Sequence, residues 1–124
     1  MTTYVSAIDQ RIKAAVIVCY LSTLEDALGD RGRGNTCGSQ FMFGLKQFGK
    51  IADVAGLIAP RSCMVQVASD DTCFIDTDAK KAFSHLKQVY SASGHSSKLE
   101  LDYFEGEHEV DLAPAISFFK ENLQ

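Results

Sequence analysis

At 124 residues the chain has room for one domain, and a chain of this size buries roughly two-thirds of its unfolded surface, enough for a real core. Its 46% apolar and 23% charged content is ordinary for a globular protein, and a net charge of −4 argues against a nucleic-acid or anionic-membrane surface. No apolar run approaches the roughly 20 residues of a membrane span, and Met1-Thr2-Thr3-Tyr4 lacks the basic and apolar regions of a signal peptide.

Residues 3–9 read as the end of a helix, with Val5 and Ile8 on one face. The run Ala14-Ala15-Val16-Ile17-Val18-Cys19-Tyr20, within residues 12–21, is too short for a membrane span and too β-branched for a helix. A strand buried on both faces fits it, as parallel sheets require. Ser22 is placed to cap a short helix through Leu28, with Glu25 completing a capping box. Residues 29–49 are glycine-rich, and within them residues 30–38 predict a long irregular loop, of the kind that is functional or mobile. Ile51, Val54, Ala55 and Ile58 share a face of a short helix that Pro60 ends.

A second strand is expected over 63–68. Asp76, Thr77 and Asp78 offer N-cap oxygens to a helix running to about Ser93, with Ala79, Ala82, Phe83, Leu86, Val89 and Tyr90 along its apolar side and Gly94 as its C-cap. A third strand follows over 98–104. Asp111 then caps a final helix with Leu112, Ala115, Ile116, Phe119 and Leu123 facing inward and Pro114 harmless in the first turn. The order β-α-β-α-β-α predicts an α/β fold: one αβα three-layer domain over 1–124, with about three parallel strands and right-handed crossovers.

In an open parallel sheet, functional groups gather outside the carboxyl ends of the strands. Asp71 follows the second strand and His108 follows the third. They are the last two members of a triad in the order nucleophile, acid, histidine, with Asp70 competing for the acid role. The nucleophile belongs on a Gly-x-Ser-x-Gly elbow, and the 124 residues contain none. Cys19 and Ser22 lie on the same rim, but normal strand spacing puts Cys19 roughly 10 Å from His108, and a cysteine in an apolar run reads as core. Cys37 and Ser39 sit in the glycine-rich loop with nothing to fix their geometry.

Plainer readings stand beside these. His108, between Glu107 and Glu109, also reads as a solvated loop histidine, and Asp71 as a turn residue capping the next helix. His85 and His95 read as surface residues. Arg31-Gly32-Arg33-Gly34 lacks the strand-loop-helix context of a phosphate loop and reads as lid-like. Asp70, Asp71, Asp76 and Asp78 lack the glycine and terminal glutamate of a calcium loop. Cys19, Cys37, Cys63 and Cys73 show neither Cys-x-x-Cys nor zinc-finger spacing, so reduced thiols in a cytoplasmic protein are expected, without cofactor or metal.

Four segments resemble the C-terminal half of an α/β-hydrolase of the dienelactone-hydrolase-like and acetyl-xylan-esterase-like bacterial esterases. They are Ala7-Ile8-Asp9-Gln10-Arg11-Ile12-Lys13-Ala14-Ala15-Val16; Asn35-Thr36-Cys37-Gly38-Ser39-Gln40; Ile51-Ala52-Asp53-Val54-Ala55-Gly56-Leu57-Ile58-Ala59-Pro60-Arg61, the most specific; and the turns holding Asp71 and His108. The resemblance implies a partial α/β-hydrolase fold, a carboxylesterase-like activity on a small ester, Asp71 as triad acid and His108 as triad base. It departs at Ser62 and Thr72, where the family usually has proline, and at Glu107 and Glu109. The family's elbow and the strands before it are absent. The strand over 12–20 would therefore expose a hydrophobic edge, implying a homodimer or a partner that pairs there. Alone, the chain should be inactive or very weak. The alternative is a non-catalytic interaction module or a truncated gene remnant.

Overall fold

The computed structural model describes residues 1–23 and 42–123. Its elements are α1 (Thr2–Ile8), β1 (Ala14–Val18), α2 (Leu45–Phe48), α3 (Ile51–Gly56), β2 (Ser62–Ala68), α4 (Asp76–Ala92), β3 (Leu99–Phe104) and α5 (Leu112–Asn122), with one 3-10 turn at Ser96–Lys98. The three strands form one parallel sheet in the order β1-β2-β3. Ala14 stands opposite Ser62 and Val18 opposite Gln66; Cys63 stands opposite Leu99 and Ala68 opposite Phe104. Because all strands run the same way, their carboxyl ends share one rim.

Strand alternation builds the two cores. Ala15, Ile17, Cys63, Val65 and Val67 point to one face, where Ile51, Ala55, Ala82, Leu86 and Tyr90 of α3 and α4 cover them. Ala14, Val16 and Met64 point to the other, under Ala115 and Phe118 of α5. The result is the expected three-layer α/β architecture. All seven residues of β2 are buried, as a central strand covered on both faces requires. Helix α4 ends as its glycine predicts: Gly94 takes φ +76, and the His95 N–H closes back on the Tyr90 carbonyl at 3.0 Å.

Several local expectations are corrected. Residues 45–48, within the glycine-rich stretch 29–49, form a helical turn that the sequence does not predict; the predicted loop 30–38 lies outside the described residues, and the predicted helix 22–28 largely so. The α4 N-cap is Ile75 rather than an aspartate, because the Asp78 carboxylate is instead buried against the backbone N–H and hydroxyl of Thr23. In α1 the buried residues are Thr3 and Ser6, while Val5 and Ile8 are exposed. In α5 Ala115 and Phe118 are buried, whereas Leu112, Ile116, Phe119 and Leu123 are largely exposed. The α1 and α5 departures share a cause. Val5, Leu112, Ile116 and Phe119 line an apolar groove of about 590 Å³ beside β1, with Val16 at its base. Among the described residues β1 pairs on one edge only.

The amino-end rim is held by Arg61. Its guanidinium donates to the carbonyls of Ser6 (2.6 Å), Ile12 (2.9 Å), Asp9 (3.0 Å) and Ile58 (3.1 Å), joining α1, the approach to β1 and the end of α3. Its own carbonyl accepts from the Tyr90 hydroxyl at 2.9 Å. The neighbouring Ser62 hydroxyl donates to Asn122 Oδ1 at 2.5 Å, so this departure from proline ties the end of α5 to β2. Charged hydrogen bonds of this kind contribute about 1.5–3 kcal/mol each and are not additive. Arg61→Ala should lower the unfolding free energy by about 2–4 kcal/mol in urea melts, and Arg61→Lys should recover less than half of the loss, because an ammonium cannot reproduce the planar fork.

Candidate functional site

The site is assembled where β2 and β3 end. Pairing continues past both strands: the Ser69 N–H donates to Phe104 and the Asp70 N–H to Gly106, each at 2.9 Å. This zips the two following loops together. Gly106 leaves room for its neighbours there: a Cβ would meet Glu109 Oε1 at 2.7 Å and the Phe104 ring at 2.9 Å, so both side chains would have to shift.

Asp71 comes next, with its side chain 1% exposed. Its Oδ1 accepts the backbone N–H groups of Cys73 (2.7 Å) and Phe74 (2.9 Å), and its Oδ2 lies 2.9 Å from His108 Nδ1. One oxygen therefore serves the turn, ahead of α4 and not as its cap, which is Ile75, and the other meets the histidine. Asp70 is exposed and accepts only from the Ser69 hydroxyl, at 2.9 Å; among the described residues it is Asp71 that meets the histidine. The His108 side chain is half exposed, and its ring stacks on Phe74 at 5.9 Å and 19°. Phe74 leans on Tyr20 (5.5 Å), and Tyr20 on Tyr4 (6.2 Å), so an aromatic chain supports the imidazole from behind. With Nδ1–H donated to the carboxylate, Nε2 is left as the ring's proton acceptor.

Cys19 is not where strand spacing predicts. It follows β1 with φ +42, in the left-handed region, and its Sγ lies within 4.8 Å of a carboxylate oxygen of Asp71 and a ring nitrogen of His108. The expected 10 Å collapses because the loop after β3 turns back across the sheet; Cys19 Sγ donates to the Glu109 carbonyl at 3.4 Å. Burial, reinforced by the Asp71 carboxylate, pushes the Cys19 thiol up to about 11, so near neutral pH it is a protonated, poor nucleophile. Burial pushes the Cys63 thiol in β2 up to about 12. Cys37, Ser39 and Arg31-Gly32-Arg33-Gly34 lie outside the described residues.

The other histidines stand apart. His85 Nε2 pairs with Asp53 Oδ1 at 2.5 Å, which holds that carboxyl below its ordinary range, so His85 is a half-exposed bridge between α4 and α3. His95 is exposed and turns its Nδ1 to the Ser93 carbonyl at 2.6 Å. Sequence reasoning missed the approach of Cys19 and the role of Phe74. The signal available was position: both sit just after a strand that ends on this rim.

No family model and no curated protein matches the sequence. Among solved structures, a carbohydrate esterase family 15 glucuronoyl esterase from Caldicellulosiruptor kristjansonii, an α/β-hydrolase, matches 98% of this chain with a TM-score of 0.71 and 13% identity. The chain spans 40% of that structure's length. At this identity the likeness establishes the fold alone: a three-layer α/β arrangement similar to part of that esterase's structure. No helix among the described residues is long and apolar enough to cross a membrane.

Two measurements check the thiols. In the native chain at pH 8, Cys19 and Cys63 should resist alkylation by iodoacetamide and react on unfolding, read by mass spectrometry. Both hold their protons to higher pH when folded than the ordinary thiol value of 9.0, so alkali favours the unfolded chain. Stability should fall as pH rises from about 9 towards 11, with a smaller slope in Cys63→Ala.

Proposed function

We propose that Asp71 and His108 are the acid and the base of a serine-hydrolase-type relay acting on carboxylic esters, with the attacking hydroxyl supplied from outside this pair's own loops. The observation that carries this reading is the 2.9 Å contact between His108 Nδ1 and a buried Asp71 carboxylate on the carboxyl-end rim of an esterase-like sheet. The carboxylate fixes the tautomer and stabilises the imidazolium; Nε2 takes the nucleophile's proton and returns it to the leaving alkoxide. Kinship with the dienelactone-hydrolase-like and acetyl-xylan-esterase-like enzymes belongs to this reading too, resting on the segment through Arg61. Acidic side chains at Glu107 and Glu109 flank the base.

The chain alone should hydrolyse a short-chain nitrophenyl ester at or barely above background and should not label with a fluorophosphonate. Labelling would place an activated serine within the chain and overturn an external nucleophile. In a preparation that does carry an elbow serine, His108→Ala and Asp71→Asn should lower kcat by about 10³–10⁴, and a rate indifferent to both would sink the hydrolytic reading.

A second reading, an α/β module that acts by association, is favoured by the apolar groove along the edge of β1 that pairs with no strand among the described residues. Its proposed occupant is an extended apolar strand from another chain, bonded to the β1 backbone and roofed by α1 and α5. Self-association at high concentration is expected. A monodisperse monomer by light scattering would count against it.

A further inference from the structure

Three groups of different chemistry converge on one point of the carboxyl-end rim, and the acid–base pair uses two of them. Cys19 Sγ, a carboxylate oxygen of Asp71 and a ring nitrogen of His108 lie mutually within 4.8 Å, the one such grouping of three among the described residues. We propose that Cys19, Asp71 and His108 form a binding site for a thiophilic divalent cation of zinc's class, which silences the Asp71–His108 pair when bound.

The donor set selects the ion. Calcium and magnesium take six or more oxygens, whereas one sulfur, one imidazole nitrogen and one carboxylate oxygen match a tetrahedral zinc with water in the fourth place. Around zinc, sulfur at about 2.3 Å and nitrogen and oxygen at about 2.0–2.2 Å stand roughly 3.3–3.8 Å from one another. The separations found here are at most 4.8 Å, so none needs to close by more than roughly 1 Å; the half-exposed His108 side chain can adjust its own two, and rotation about the Cys19 Cα–Cβ bond adjusts the third.

The surroundings are already built for coordination. Cys19 is 4% exposed and Asp71 5% exposed, so their positions are set by the fold. Asp71 keeps Oδ1 on the N–H groups of Cys73 and Phe74, the outer hydrogen bonding that steadies a metal carboxylate, and Phe74 steadies the imidazole. Charge balances as well. The Cys19 S–H bond breaks, a sulfur–metal bond forms and the proton leaves to solvent. Thiolate and carboxylate then neutralise the dication, and the imidazole adds a neutral lone pair. Coordination through Nε2 removes the proton acceptor; coordination through Nδ1 removes the bond to Asp71. Either ends the relay.

The test uses cadmium as the spectroscopic probe and zinc for affinity. Titration of the full chain with Cd²⁺ should saturate at one equivalent with a thiolate-to-cadmium ultraviolet band, and calorimetry with Zn²⁺ should give the same stoichiometry. Changes to outer partners of a metal already cost about 10–100-fold, so Cys19→Ser and His108→Gln should each weaken binding by at least that much. Cys37→Ser, Cys63→Ser and Cys73→Ser should retain it. His108→Gln alters a half-exposed side chain, so its result stands even if Cys19→Ser fails to fold. A band that survives Cys19→Ser, an affinity unmoved by His108→Gln, or no saturable binding would overturn the proposal. The readout is metal binding, so its failure leaves the hydrolytic reading untouched.

Discussion

The whole arrangement depends on β2 being paired along both edges and covered on both faces. A strand in that position can carry no exposed polar side chain along its length, and Ser62-Cys63-Met64-Val65-Gln66-Val67-Ala68 accommodates this with two polar residues, Ser62 and Gln66, that both donate hydrogen bonds; of their side-chain atoms Gln66 Oε1 alone is left without a partner among the described residues. Gln66 donates to Asp102 Oδ2 at 2.9 Å and to the Asp111 carbonyl at 2.6 Å, linking the central strand to β3 and to the start of α5. Once β2 is fixed, the first place where its chain can present chemistry is just past Ala68, and Asp71 is there.

Asp71 illustrates how one side chain can satisfy a local and a distant demand. The backbone donors at Cys73 and Phe74 shape the turn out of β2, and the second oxygen reaches a histidine 37 positions away. A carboxylate tied in this way has little rotational freedom to lose when it engages the imidazole, which is the physical meaning of preorganisation at such a site. The stacking of Phe74 against His108 extends the same economy of motion to the ring.

The three-layer fold was legible in the sequence because its signals are strong and local: a β-branched run at 14–18, a wholly apolar-compatible β2, helical periodicity over 79–90 and a glycine at 94. The rim positions of Asp71 and His108 followed from strand order alone. What could not be read was anything set by chain reversal in three dimensions. Strand spacing separates Cys19 from His108, and only the path of residues 105–111 brings them together. The faces of α1 and α5 were misjudged for a related reason: periodicity identifies an apolar stripe, but whether that stripe meets the core or the groove beside β1 depends on how far the sheet extends.

The Arg61 fork gives the molecule a division of labour along its strand axis. One end of the sheet gathers α1, the close of α3, the Tyr90 hydroxyl of α4 and, through Ser62, the tail of α5 into a single anchorage. The opposite end holds Cys19, Asp71 and His108, on which the proposed relay and the proposed cation site both rest. Substitutions at the anchored pole should register as changes in melting behaviour alone, and those at the opposite pole, under the proposed function, in chemistry too, so position along the strand axis sorts the two kinds of phenotype.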